Sequence, residues 1–415
     1  MREILSGRLD RGDLMKPMFD EYDVVVIGAG PGGSLAARDA AKGGARVLLI
    51  EKRQEIGDPV RCAEGINAVR ALEYIDIPER MVCSTIRKCG LIVPDGRRLV
   101  LESKNVNLKG YILDRKIFDR YLAEEAARAG AEILVKTTAT GLIKEDGKIC
   151  GVTMRHLDKT FSVRCRIVIG ADGVESKVGR WAGIDTSLGL DYIESGVQYL
   201  MSGIKFDSDC IDIYMGNETA PSGYAWVFPK GEDKANVGIG LLGSRIRDGG
   251  RPIDYLNKFV EKHFPEGKIL EMNYGGIPVT NELKQLVADN IMLVGDAGRL
   301  TDPLTGGGIV NAIVSGSIAG KTAAEAIKAG DCSEKMLKKY AKEWHDVLGK
   351  FIDRDNIIKE YFVSISDEEA NRIAEKLKDA DFSNAMELGN LIKLVSSADK
   401  KLLLKLGANE IKHLF

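Results

Sequence analysis

The sequence predicts an α/β protein with an inserted antiparallel sheet and a helical C-terminal region. Three observations carry that reading. A short apolar run ends in closely spaced glycines at residues 23–33, and a small-residue helix follows. The pattern returns at residues 290–309, where a run ends in Gly295-Asp296 and a second glycine cluster opens another small-residue helix. Between them, from residue 191 to about 279, strands alternate with Gly and Pro turns, as in an antiparallel sheet that carries a binding surface.

The first motif reads Asp23-Val-Val-Val-Ile-Gly28-Ala-Gly30-Pro-Gly32-Gly33. Its four apolar residues are too few for a helix and suit a strand buried on both faces. Gly28 permits the tight turn, Gly30 lets a pyrophosphate approach the backbone, and Gly33 lets the helix pack closely on the strand. The helix start offers unpaired N–H groups and positive dipole character to phosphates. A second strand, residues 46–51, ends in Glu51, placed to accept hydrogen bonds from an adenosine ribose. Strand, glycines, helix, strand and acid stand in register, which is the Rossmann-type dinucleotide pattern.

At 415 residues the chain exceeds one typical core, so two or three domains are expected. A net charge of −2 gives no support for a nucleic-acid partner. No apolar run approaches the ~20 residues that span a bilayer, and no signal peptide opens the chain. The seven cysteines (62, 83, 89, 150, 165, 210 and 332) form no C-x-x-C pair. A reducing cytoplasm is therefore the expected location, with a disulfide left open. The four histidines are dispersed, so no metal site is expected.

Along the chain, residues 1–21 read as a mobile tail. The dinucleotide domain is expected over 22–62, 110–190 and 280–330, and a substrate domain over 63–109 and 191–279. Residues 331–415 read as a helical domain. Gly57, Pro59 and Gly65 mark a loop after Glu51 that carries Arg61 and Cys62. An isolated cysteine fills apolar space or does chemistry, and this loop lies where it can run along a cofactor. Short strands are expected over 83–108 around the turn Pro94-Asp-Gly96, and a helix from Tyr111 through Ala127. Asp146-Gly147 marks a hairpin, and a strand over 166–170 leads into Asp172-Gly173. Residues 253–264 read as an amphipathic helix within the inserted sheet. Leu391, Ile392, Leu394, Val395, Leu402, Leu403, Leu404 and Leu406 among lysines fit a core-facing helix pair or a membrane-surface element.

Gly28-x-Gly30-x-x-Gly33, Asp172-Gly173 and Gly295-Asp296, in this order, resemble the flavoprotein fold shared by aromatic hydroxylases, tryptophan halogenases and geranylgeranyl reductases. The resemblance covers residues 22 to about 330 and implies FAD, with the adenosine held by the first unit and the flavin by the third. It implies that Asp296 hydrogen-bonds the ribityl chain and that the helix start at 306–309 faces the flavin pyrimidine. Tyr224-x-Trp226-x-Phe228-Pro229, followed by Gly238-x-Gly240, resembles the substrate-side motif of geranylgeranyl reductases. Arg61-Cys62-Ala63-Glu64-Gly65 is similar to their cysteine loop, where Gly commonly stands in place of Ala63. The implied cofactor contacts are Gly28, Gly30, Gly32, Gly33, Glu51, Cys62, Ala63, Gly65, Arg115, Ala139, Asp296, Gly308 and Ile309. Tyr224, Trp226 and Phe228 are the implied substrate contacts and Cys62 the catalytic residue. The three aromatics alternate on one strand face, which suits a buried core face as well as a lipid tunnel.

Archaeal members of that family saturate the double bonds of digeranylgeranylglycerophospholipids, and the resemblance implies this activity. The alternative is an FAD monooxygenase or halogenase. Halogenases carry Trp-x-Trp-x-Ile-Pro, where this chain has Tyr224 and Phe228. A non-catalytic flavoprotein is the third class. Ferredoxin and NAD(P)H both fit as electron donor, because no second dinucleotide fingerprint is present. The partner implied is a prenylated glycerophospholipid, with peripheral membrane contact possible at the lysine-studded C-terminal region.

Overall fold

A computed structural model describes residues 17–102, 110–246, 250–382, 388–402 and 404. Most of the expected tail, residues 1–16, lies outside them. The part that is described is anchored: the Met18 N–H donates to Glu132 (2.9 Å), and the Arg46 guanidinium lies 4.5 Å from the Phe19 ring centre.

The strand Glu21–Ile27 lies inside an eight-stranded sheet, flanked by Val47–Ile50 and Lys159–Gly170, both parallel to it. Val24, Val25 and Val26 are fully buried, as a strand covered on both faces requires. Beyond Val47–Ile50 runs Glu132–Leu134, and beyond Lys159–Gly170 runs Ile291–Leu293, so the first and third glycine motifs end on the same sheet. The expected hairpin is Thr137–Glu145 with Lys148–His156; Asp146 and Gly147 both take positive φ, +49° and +79°, the turn that matches strand twist. The helix Pro31–Lys42 packs between Ile309–Ala329 and Arg115–Arg128.

One expected helix starts later than its sequence suggests. Gly110–Leu113 is a strand in a three-stranded sheet with Gly65–Asn67 and Val82–Ile86, and the helix begins at Arg115. The reason is Asp114, whose side chain accepts from the N–H groups of Lys116 (3.0 Å) and Ile117 (3.3 Å) and so caps the helix after Tyr-Ile-Leu has paired as a strand.

The inserted sheet has seven strands in the order Lys268–Pro278, Ile193–Ser202, Lys234–Leu242, Tyr224–Pro229, Cys210–Tyr214, Lys88–Ile92, Arg98–Glu102. One face is apolar: Val197, Tyr199, Ala225, Val227, Val237, Ile239 and Leu241 pack on Leu256 and Phe259 of the helix Pro252–His263. Period-two alternation turns Glu194, Gln198, Tyr224, Trp226, Phe228 and Asn236 to the other face.

Four further α-helices follow, Glu334–Trp344, Lys350–Ser364, Asp367–Leu377 and Leu388–Ala398. Ile392, Val395 and Leu402 are buried against Ile358, Tyr361, Ile373 and Leu377, so this apolar stripe faces a core. The side chain of Leu391, and all of Leu403 and Leu406, lie outside the described residues, and Leu404 is exposed. These helices are tied to the inserted sheet. Arg97 pairs with Glu375 and donates to the Asn371 carbonyl (3.0 Å), the Asn217 N–H donates to Asp367 (3.0 Å), and Lys359 Nζ donates to the Val279 carbonyl (2.6 Å). Among the described residues no helix is long and apolar enough to cross a membrane and no cluster fits a metal ion. All seven cysteines are free.

Candidate active site

The first glycine turn is built by backbone contact. Gly28 has φ +105°, and a Cβ there would lie 2.3 Å from the Ala171 carbonyl oxygen. A Cβ at Gly33 would lie 1.8 Å from the Gly28 carbonyl oxygen, so strand and helix meet with no room for a side chain. Gly30 differs: a Cβ there meets nothing within 4 Å. Its missing side chain therefore leaves open space in front of the helix start, with Pro31 at the first helical position. Glu51 ends the neighbouring strand, and its two oxygens accept from the Ala29 N–H (3.0 Å) and the Arg53 N–H (2.9 Å). That fixes the carboxylate beside the turn. Gly32 faces the seam with the helix Ile309–Ala329, and half-buried Ala139 lies on the strand Thr137–Glu145.

The third motif closes the other end. Asp296 is held by Thr301 Oγ1, which donates to it (2.8 Å). Burial pushes this carboxyl above its ordinary value, with Thr301 and Arg115 opposing. Gly308 begins the 21-residue helix Ile309–Ala329 without any side-chain cap, so its first N–H groups are open to a ligand. A Cβ at Gly308 would lie 3.1 Å from Asp296 Oδ1, which places the acid at that helix start. Ser176, beside the second motif, donates to the Ala297 carbonyl (2.8 Å) and joins the second motif to the third. Asp172 Oδ2 accepts from the Val178 N–H (3.0 Å), while its buried Oδ1 has no partner. Open space at Gly30, uncapped N–H groups at Ile309 and an acid at each end fit a dinucleotide running from Glu51 to Asp296.

Between these ends lies the cysteine loop, and its anchor is a residue that the loop motif contains but to which it gives no role. Glu64 is 1% exposed and accepts from Lys230 Nζ (2.5 Å), Asn236 Nδ2 (2.6 Å) and the Arg115 N–H (2.9 Å). Arg115 is itself paired with Asp119 through two hydrogen bonds of 2.6 and 2.7 Å. Burial alone would lower the guanidinium, yet Asp119 outweighs it and holds the charge above its ordinary value. Cys62 Sγ accepts from the Glu64 N–H (3.1 Å), and burial pushes the thiol up against the opposing charge of Arg115. Cys62 is therefore a neutral thiol.

The aromatic row joins this loop to the flavin-side helix start. Gln198 Nε2 donates to the Cys62 carbonyl (3.1 Å), and Gln198 Oε1 accepts from Trp226 Nε1 (2.9 Å). Asn236 Nδ2 also reaches the Ala63 carbonyl (3.2 Å). Phe228 packs on Gly65, where a Cβ would lie 3.0 Å from the ring. At the other end the Tyr224 hydroxyl donates to the Thr305 carbonyl (2.5 Å), one residue before the glycines. Ring centres are 5.9 Å apart for Tyr224 and Trp226 and 6.4 Å for Trp226 and Phe228. Trp226 is buried, whereas Tyr224 and Phe228 are half-buried. Asn236 was legible in principle, as a polar residue within an otherwise largely apolar run, 235–242.

Family models match both parts: the geranylgeranyl reductase catalytic domain over residues 192–277 and an FAD-binding domain over residues 23–95. A digeranylgeranylglycerophospholipid reductase of Methanococcoides burtonii is 51% identical over 387 residues, covering 93% of this chain and 95% of its own. The enzyme of that name from Methanosarcina acetivorans is 51% identical over 389 residues, with the same coverage. The chain belongs to the digeranylgeranylglycerophospholipid reductase family. FAD is the cofactor of this family member, and the open space at Gly30 and the uncapped helix start at Ile309 fit it. A geranylgeranyl bacteriochlorophyll reductase-like protein of Thermoplasma acidophilum has a closely similar structure, with TM-score 0.89, 38% identity, and coverage of 95% of this chain and all of that one. A flavin-dependent brominase shares the fold alone, at TM-score 0.71 and 18% identity over 90% of this chain and 93% of its own.

Proposed function

We propose that this family member saturates the prenyl double bonds of digeranylgeranylglycerophospholipids. The observation that carries the reading is the aromatic row, which spans from the Cys62 loop to the Thr305 carbonyl at the cofactor helix. We assign to FAD the contacts Gly28, Gly30, Gly32, Gly33, Glu51, Cys62, Ala63, Gly65, Arg115, Ala139, Asp296, Gly308 and Ile309, and to the prenyl chain Tyr224, Trp226 and Phe228. When bound and reduced, FAD supplies a hydride.

The residues of the chain organise the rest. An unactivated alkene has no electron sink, so positive charge develops on its more substituted carbon as a proton reaches the other. The faces of Tyr224, Trp226 and Phe228 stabilise that charge and exclude water. Uncapped N–H groups at Ile309 stabilise negative charge at the pyrimidine end of the cofactor. Cys62, a neutral thiol held by Glu64 and Gln198, bounds the space beside the alkene without adding a charge. Ferredoxin or NAD(P)H serves as electron donor.

Contact with the membrane is assigned to the edge strand Lys268–Pro278, where Leu270, Met272 and Tyr274 are 52, 56 and 69% exposed. The C-terminal helices close the lipid site, since they are fastened to the inserted sheet through Arg97 and Asn217. The test is anaerobic. Photoreduced protein is mixed with unsaturated archaeol phospholipid, and flavin absorbance is followed. Reoxidation by the lipid supports the reading. Reoxidation only on admitting oxygen, with a small aromatic consumed, assigns a monooxygenase instead.

A further inference from the structure

We infer that Glu194 is the proton donor of this alkene reduction: its carboxylic acid delivers a proton to one carbon while the other takes the hydride. The inference rests on the proposed prenyl reduction and names the group that this reaction needs.

Glu194 stands on Ile193–Ser202, on the face that carries the aromatic row, and is 8% exposed. Among the described residues no hydrogen-bond donor reaches its carboxyl group. The other carboxylates near this face are already engaged: Glu64 by three donors, Asp296 by Thr301, and Asp302 by the Leu304 N–H (2.8 Å) and Thr305 Oγ1 (2.9 Å). A largely buried carboxyl without hydrogen-bond partners is costly when charged, which favours the neutral acid.

Its position is fixed by the sheet. Gly240 pairs in register with Tyr224 on one side and Gly196 on the other, two residues from Glu194. A Cβ at Gly240 would lie 3.0 Å from Glu194 Oε2 and 3.6 Å from Trp226 Cζ3. The acid and the indole therefore flank the same spot on the sheet, which glycine keeps shallow. A prenyl chain lying on this row brings its double bonds past the carboxyl group.

Among the described residues, two charged or titratable groups face it. Tyr224 is pushed up by burial first and by Glu194 second. Lys359, from the helix Lys350–Ser364, is held by the Val279 carbonyl (2.6 Å) and Glu360 (3.2 Å). Burial raises Glu194 from an ordinary 4.5 to about 7, with Lys359 opposing. An acid near neutral is matched to proton delivery at working pH.

The step balances. The Glu194 O–H bond breaks and a C–H bond forms at the less substituted alkene carbon. The hydride from reduced FAD, with its electron pair, forms the second C–H bond at the more substituted carbon. The alkene gains two hydrogens, FAD is oxidised, and the carboxylate regains a proton from water.

The first measurement needs no cofactor. In pH-difference infrared spectra of flavin-free protein, a protonated-carboxyl band titrates near pH 7 and is missing in Glu194→Gln. The second is single-turnover reduction of prenyl lipid under anaerobic conditions. Glu194→Gln, with full FAD content, slows by about 100-fold or more and loses the fall in rate above pH ~7. Lys359→Met moves that fall to higher pH and keeps the low-pH plateau; it decides the matter if the Gln variant does not fold. A Gln variant with wild-type rate and pH profile, or a Lys359→Met profile that does not move, overturns the inference and leaves the function standing. Wild-type protein that reduces no prenyl lipid overturns the function, and the inference falls with it.

Discussion

The two halves of the site are made of different material. The cradle proposed for the cofactor at residues 28–33 is made of backbone: its geometry is set by where side chains are missing, although it leans on Ala171 and on the helix Ile309–Ala329. The aromatic face is made of side chains joined over long sequence distances. Glu64 takes hydrogen bonds from Arg115, Lys230 and Asn236, which stand 51, 166 and 172 positions away. A backbone site tolerates few substitutions and announces itself by spacing. A side-chain site is specified by the fold and shows itself only when distant strands meet.

Within the cradle, glycines of one motif divide by cause. Gly33→Ala drives a Cβ to 1.8 Å from the Gly28 carbonyl oxygen, and the largest effect expected is loss of folded protein, read as insoluble expression or a missing thermal transition. A Cβ at Gly30 meets no protein atom within 4 Å, so in Gly30→Val the fold is expected to survive while the flavin is lost, read as a colourless protein with a normal apo melting curve. If both variants keep full flavin, the cradle is misplaced.

The side-chain half breaks through its hub. Glu64→Ala leaves Lys230 and Asn236 without their buried acceptor and is expected to cost about 3–5 kcal/mol, measured by denaturant unfolding. Cys62→Ala, on the same loop, removes only an acceptor for the Glu64 N–H; stability and FAD content stay close to wild type while turnover falls at least about tenfold. An alanine variant with ordinary turnover returns Cys62 to a packing role.

The smallest effect is a pH dependence. Glu194 is raised from 4.5 to about 7 in the folded state, so the folded protein binds more protons than the unfolded chain between those values. Stability from this group is fully present below pH ~4.5 and is lost as pH rises through about 7. Glu194→Gln should therefore flatten the fall in melting temperature between pH 5 and 8. An unchanged slope places the carboxyl in contact with solvent.

This contrast also explains how much of the molecule is legible in the chain. Gly28-x-Gly30-x-x-Gly33 and Gly295-Asp296 are legible because each requirement falls within a few residues of its neighbour. Tyr224, Trp226 and Phe228 are legible as one face, although only the structure shows Trp226 joined to the Cys62 loop through Gln198. Residues 111–113 read as part of a helix because their partners, Gly65–Asn67 and Val82–Ile86, lie far upstream, and because Asp114 caps only the turn that starts at Arg115. Glu194 escapes assignment because a lone glutamate carries no spacing signal, and Glu64, though inside the cysteine-loop motif, takes its role only from burial and partners.

The central claim is that the aromatic row holds a prenyl chain against the reduced cofactor. The most direct measurement is mass spectrometry of the lipid after anaerobic reaction with chemically reduced protein, for wild type and for Trp226→Arg. The account predicts a gain of two mass units per double bond with wild type, and unchanged lipid with a Trp226→Arg protein that still holds FAD. Unchanged lipid with wild type, or equal gains with both proteins, would contradict it.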